Sequence, residues 1–212
     1  MSKLTVTIVD YGLGNLLSLS RAFEFIGCNV VITRDHKTIL DSSHLILPGV
    51  GSFPVAMESI NKLDLKKILL EVADRGTPLL GICLGMQLLM TKSEEFKITE
   101  GLNLISGDVK KIKKSSDKNI KIPHIGWNTL ESSNSSEDKL KILIGTNKKD
   151  SYYFVHSYTP IPNNKENRIF DTIYENVALS AIIKKKNIIG FQFHPEKSGK
   201  SGLQLLKNFL EI

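Results

Sequence analysis

Short apolar runs alternating with helical segments predict an α/β protein: a doubly wound, mostly parallel sheet flanked by helices, with antiparallel additions in its second half. Two observations carry this. The runs at 5–9, 30–33, 45–47 and 79–82 are too apolar to alternate and too short for helices, as strands covered on both faces are. Between them, 16–26, 63–75 and 84–91 place apolar residues at helical spacing. After the midpoint the character changes, and 109–113, 152–156, 178–183 and 188–193 read as strands with turns between them. The spacing predicts a closing helix over 201–210, with Leu203, Leu206 and Leu210 facing inward. The stretches 113–119 and 132–137 read as polar loops. No internal repeat is present, and residues 1–212 read as a single domain with a full core.

Bulk composition narrows the function classes. A hydrophobic content of 41% is that of a soluble globular chain. Two cysteines make no disulfide framework. The N-terminal MSKLTVTIVDYG has the pattern of a first strand rather than of a signal peptide. No apolar run approaches the ~20 residues of a membrane helix, so no membrane association is expected and the expected location is the cytoplasm. A net charge of +6 raises the question of nucleic acid. The lysines, however, lie in small clusters (Lys110-Lys111, Lys113-Lys114, Lys148-Lys149, Lys184 to Lys186) without interleaved aromatics, and no nucleic-acid partner is expected.

The most informative stretch is PLLGICLGMQLLM at 78–90. An apolar strand runs into Gly81-Ile82-Cys83-Leu84-Gly85, and a helical segment follows at once. Small residues two places either side of a nucleophile are what a sharp strand-to-helix elbow needs, because larger side chains there would collide. On this fragment alone a buried core cysteine reads equally well. Cys28 has no such setting and is expected to be inert. A second segment, FQFHPEKS, supplies what a thiol nucleophile lacks: His194 as general base and Glu196 to orient it, at the end of a strand. In an open α/β sheet the carboxyl ends of strands are where sites form, which puts this pair on the edge that carries the elbow.

Two glycine-rich turns need separate readings. Asp10 to Asn15 (DYGLGN) lacks the third glycine and the acidic ribose partner of a dinucleotide fingerprint, so no bound nucleotide is expected. Pro48-Gly49-Val50-Gly51 is either a plain turn or a loop that aims its amides at Cys83. Elbow geometry makes the Leu84 N–H an oxyanion donor.

With GICLG, the Gln87 that follows it, and the late His194-Pro195-Glu196, the chain resembles the class I, triad-type glutamine amidotransferases. DYGLGN, PGVGSF, PHIGWN and YFVHSY occur in order, so the resemblance covers nearly the whole sequence. It implies that Cys83, His194 and Glu196 hydrolyse glutamine through a glutamyl thioester. It further implies that Val50 and Leu84 supply oxyanion N–H groups, and that Gly51, Gln87 and Ser157 lie near the glutamine. No metal and no cofactor is implied. Within the family, the motifs are similar to those of glutaminase subunits that pass ammonia to a separate (β/α)₈-barrel cyclase. That cyclase makes imidazole glycerol phosphate and an aminoimidazole carboxamide ribotide in histidine biosynthesis. Tyr11, Asn15, Trp127 and Asn128 are then the expected docking residues. Three alternatives remain open: a paralogue feeding a surface-polysaccharide sugar amidotransferase, a stand-alone cysteine hydrolase or peptidase of the same fold, and a non-catalytic scaffold.

Overall fold

The first half builds the expected alternation in the computed structural model, which describes residues 3–113, 120–133 and 141–212. It runs β1 (Thr5–Val9), α1 (Leu16–Phe25), β2 (Asn29–Thr33), α2 (His36–Leu40), β3 (Leu45–Leu47), α3 (Phe53–Lys62), α4 (Leu65–Asp74), β4 (Leu79–Ile82) and α5 (Leu84–Leu88). The second half is strand-rich: β5 (Lys92–Ser93), β6 (Thr99–Glu100), β7 (Gly107–Lys111), β8 (His124–Thr129), β9 (Glu131–Ser132), β10 (Ser151–His156) and β11 (Tyr158–Pro162). Then come β12 (Arg168–Tyr174), β13 (Val177–Lys185), β14 (Ile188–Phe191) and the final helix α6 (Gly199–Leu210).

Among the described residues the main sheet has the order β2-β1-β3-β4-β14-β13-β12-β9. From β2 to β14 every pairing is parallel, and from β14 outward every pairing is antiparallel. Strand β14 is thus the exception to the expectation for the second half: it lies beside β4, in register from Ile188↔Leu79 to Phe191↔Ile82. That pairing brings the turn after β14 and the elbow after β4 to the same sheet edge. The two faces are covered separately, as a doubly wound sheet requires. Val6, Ile8 and Ile46 pack with Phe23 of α1 and with Leu205, Leu206 and Phe209 of α6. Leu45 and Leu47 pack with Met57 and Ile60 of α3 and with Leu65 and Leu69 of α4. In α6 the fully buried leucines are Leu205 and Leu206, whereas Leu203 and Leu210 are half-buried.

Several elements escaped the pattern. Helix α3 begins at a Ser-Phe-Pro turn signal, but Pro54 is tolerated because N–H groups of the first helical turn have no intrahelical acceptor to lose. Strand β11 contains Pro160 and Pro162, which the sheet accepts because β11 is an edge strand of the four-stranded sheet β11-β7-β5-β6. Strand β8 has Gly126 and Trp127 in its middle and pairs antiparallel with β10, Trp127 opposite Tyr153 and His124 opposite His156. Most of the two stretches read as polar loops, 114–119 and 134–137, lies outside the described residues.

The elbow shows why its glycines are needed. Cys83 has φ 54° and ψ −109°, a strained conformation for a residue with a side chain. A Cβ on Gly85 would overlap the Leu47 carbonyl oxygen, and one on Gly81 would lie 2.7 Å from the Gly85 carbonyl group. Helix α5 therefore rests directly on the sheet backbone. Gly85→Ala is expected to destabilise the protein by about 3 kcal/mol, because the clash is with backbone and no rotamer relieves it. The readout is the urea unfolding midpoint; an unchanged midpoint would mean that α5 can stand off the sheet at no cost.

Candidate active site

Chain geometry at the sheet edge assembles the site. The Cys83 N–H donates to the Phe191 carbonyl at 2.7 Å, which ties the elbow to the end of β14. Three residues further, the His194 N–H donates to the Tyr153 carbonyl of β10 at 2.9 Å. Ser198 closes the turn that carries the histidine: its hydroxyl donates to the His194 carbonyl at 2.6 Å and accepts from the Tyr153 N–H at 3.0 Å. The base is thus anchored through its own backbone on both sides, before any side-chain contact is considered.

The side chains then complete a relay. His194 Nδ1 lies 2.8 Å from Glu196 Oε1, with only 5% and 3% of the two side chains exposed. Because a carboxylate only accepts, Nδ1 carries a proton and Nε2 is left to serve Cys83. Burial disfavours the imidazolium, but the hydrogen bonds and charges of Cys83 and Glu196 outweigh it and push the His194 pKa up to about 10. Gln192 Nε2 also stands 4.0 Å from Cys83 Sγ. Gln192 Oε1 accepts from Gln87 Nε2 at 3.2 Å, and the same Gln87 amine donates to the Tyr158 carbonyl at 3.1 Å. Cys28 is buried away from this constellation, and burial pushes its thiol pKa up.

A cavity of about 320 Å³ opens in front of the sulfur. It brings together Cys83, His194, Val50, Gly51, Leu84, Gln87 and Ser157, all singled out from sequence. Glu196 stands behind His194 and does not line it. Sequence reasoning missed Glu95, His156 and Tyr158, which also line the cavity. Glu95 gives no sequence signal, since it sits in a charged loop. Its Oε2 accepts from the Phe53 N–H at the start of α3 at 2.7 Å, and burial pushes its pKa up against that bond. His156 is buried between the Tyr158 carbonyl (2.8 Å from Nδ1) and His124 (3.0 Å from Nε2), and burial depresses its pKa to about 3. It is a neutral wall of the cavity rather than a second base. Among the described residues no group of three or more His, Cys, Asp or Glu side chains is arranged to hold a metal.

The expected docking residues separate. Trp127 is 55% exposed beside Tyr153, their ring centroids 5.8 Å apart, which excludes a core role. Asn15 is exposed and caps α1, its Oδ1 accepting from the Ser18 N–H at 3.3 Å. Asn128 is half-buried and turned inward, donating to the Ile173 carbonyl at 3.0 Å and lying 2.9 Å from His124 Nε2. Tyr11 is a correction: it is 1% exposed, packed under the Pro48 loop, and its ring offers no surface to a partner.

The raised His194 pKa has a defined sign. The folded protein holds a proton that an unfolded chain releases near the ordinary value of 6.5, so the stabilisation is complete below about 6.5 and is lost as pH rises through about 10. Comparing unfolding midpoints of the wild type and His194→Gln from pH 6 to 10.5 should show the wild type losing stability relative to the variant. A gap that does not change with pH would mean that the ring is neutral.

The family model for "Glutamine amidotransferase class-I" matches residues 7–212. Similar sequences include "Imidazole glycerol phosphate synthase subunit HisH 1" of Legionella pneumophila (strain Paris), 44% identical over 98% of this chain and 99% of the relative. "Imidazole glycerol phosphate synthase subunit HisH" of Bacillus mycoides is 44% identical over 96% and 93%. Among solved structures, PurLQS from Thermotoga maritima aligns with a TM-score of 0.73 at 19% identity, covering 99% of each chain. The glutaminase domain of CTPS from Trypanosoma brucei, with bound acivicin, aligns with a TM-score of 0.61 at 16% identity, covering 99% of this chain and 94% of that one. At such identities the structural likeness speaks for the fold alone, but the family match takes in both the elbow and the distant histidine turn that the sheet brings together, and the chain belongs to the class-I glutamine amidotransferases.

Proposed function

We propose that residues 1–212 form one catalytic domain, the glutaminase half of a two-chain synthase. It releases ammonia from glutamine at Cys83 and delivers it to a (β/α)₈-barrel cyclase that makes imidazole glycerol phosphate and aminoimidazole carboxamide ribotide in histidine biosynthesis. The observation that carries this reading is end-to-end identity of 44% with relatives named as that synthase's HisH subunit, in a chain whose elbow cysteine faces a buried His–Glu pair. Two free cysteines, one of them the nucleophile, suit a reducing compartment such as the cytoplasm. Among the described residues no helix is long and apolar enough to cross a membrane.

The chemistry follows from the geometry. With its proton on His194, the Cys83 sulfur attacks the side-chain carbonyl carbon of glutamine and forms a tetrahedral oxyanion. The Leu84 N–H at the elbow and the Val50 N–H of the glycine loop are the donors for that oxygen. The imidazolium gives its proton to the amide nitrogen, the C–N bond breaks, and ammonia leaves a glutamyl thioester. His194 then takes a proton from water as the hydroxyl adds to the thioester, and glutamate departs as the sulfur regains its proton. Glu196 keeps the imidazole tautomer fixed throughout. Gly51, Gln87 and Ser157 surround the substrate, and the Glu95 carboxylate at the cavity wall suits the α-ammonium of glutamine.

Free ammonia in neutral water becomes mostly ammonium, which has no lone pair with which to attack, so the product is useful only when handed over directly. The exposed Trp127 lies against Tyr153, whose carbonyl anchors the His194 backbone, and Lys197 Nζ stands 5.9 Å from the Tyr153 ring centroid. An aromatic, basic patch next to the cavity supports docking of the acceptor enzyme at this face.

Cys83→Ser in the complex is expected to abolish glutamine-dependent synthesis while synthesis from added ammonium salt continues, because only the nitrogen source depends on the sulfur. Loss of both activities would overturn the assignment. In a second experiment, glutamate release is compared for the free chain and for the complex holding an acceptor analogue. The glycine loop can withhold the Val50 N–H until the partner docks, and one such donor is worth ~10²–10³ in rate. A free chain that already runs at the full rate favours a stand-alone hydrolase.

A further inference from the structure

Tyr11 is the one fully buried member of the expected docking set, and what it touches bears on catalysis. Its hydroxyl donates to the Pro48 carbonyl at 2.7 Å in a buried bond. Its own carbonyl accepts from the Ser59 hydroxyl on α3, the helix that follows the glycine loop. Tyr11 therefore bridges the segment that enters the loop and the helix that leaves it. The fit at the entering side is tight: a Cβ on Gly49 would lie 2.5 Å from the Tyr11 hydroxyl, 2.9 Å from Leu84 Cβ and 3.0 Å from the Gly85 N. The leaving side is open. Val50 is 41% exposed, and Gly51, at φ 103°, has nothing within 4 Å of an added Cβ. Burial, reinforced by the negative charge of Cys83, pushes the Tyr11 pKa well up, so the phenol remains a neutral donor whatever the state of the sulfur.

We propose that Tyr11 is a positioning residue for glutamine hydrolysis: by holding the Pro48–Gly49 peptide against the elbow, its hydroxyl confines loop rotation to the Gly49–Val50 peptide and so places the Val50 N–H on the oxyanion. The proposal rests on the reading of Val50 as an oxyanion donor. The clamp acts through the loop and touches no substrate atom. Its effect belongs to the step in which charge develops on oxygen, and reactions of the same sulfur that form no oxyanion do not feel it.

The test is Tyr11→Phe, which keeps the ring and removes the donor, in the complex with the barrel subunit. Glutamine turnover should fall roughly 10- to 100-fold in kcat, as small misplacements of a catalytic group do, with KM changed by no more than about twofold. In the same variant, alkylation of Cys83 by iodoacetamide should proceed at the wild-type rate. There the sulfur displaces iodide from a saturated carbon and no oxyanion forms; Cys83→Ser gives the background from Cys28. A kcat within about twofold of wild type overturns the proposal. Parallel losses in kcat and alkylation overturn it as well, since the hydroxyl would then act on the sulfur. So does a variant that fails to fold or melts early with KM and kcat degraded together, since the hydroxyl would then serve the fold alone. A wild-type complex that hydrolyses no glutamine is a separate outcome and removes the glutaminase reading itself.

Discussion

The site depends on how closely α5 lies on the sheet. Gly85 sits against the Leu47 carbonyl and Gly81 against the Gly85 backbone, leaving no room for a methyl group at either place. This contact forces the chain to reverse within one residue, and Cys83 takes up the strain at φ 54°. From it follow the position of the sulfur above the strand ends, the approach of the Pro48 loop to the elbow, and the availability of the Leu84 N–H. A looser approach would leave the same residues in the same order without a cavity between them.

Burial sets the electrostatics that this geometry needs. His194 and Glu196 are removed from water, where an isolated imidazolium is disfavoured, yet Glu196 and Cys83 more than compensate. The histidine therefore keeps its proton near neutral pH and is held in place by a carboxylate. The neighbouring His156, buried without a carboxylate partner, is pushed the opposite way. Two histidines that line one cavity are thus pushed in opposite directions, His194 towards the charged form and His156 towards the neutral one.

Strand β10 links the outer face to the base. Tyr153 exposes its ring beside Trp127 while its backbone bonds both the His194 N–H and the Ser198 hydroxyl. Tyr11, through its bond to the Pro48 carbonyl, holds the loop that carries Val50. The His194 turn and the glycine loop are each anchored by one tyrosine, one partly outward and one wholly inward.

The local sequence determined the elements whose pattern reflects local chemistry. The apolar runs at β1, β3 and β4 could only be strands covered on both faces, and GICLG could only serve an elbow if the cysteine mattered. The pairing of Cys83 with His194 and Glu196 was legible because nucleophile, base and orienting acid are a chemical set. Residues whose roles come from a distant contact were not legible. Glu95 reaches the cavity because α3 offers its first N–H, and Tyr11 turns inward because the Pro48 carbonyl needs a donor. Helix α3 and strand β11 carry prolines that local rules read as breaks, and only their places, a helix start and a sheet edge, make those prolines harmless. The sequence by itself determined which groups could react and roughly where the chain would turn. The tertiary structure alone decided which of them share a cavity, because that depends on the parallel register of β4 and β14, set by packing across residues far apart in the chain.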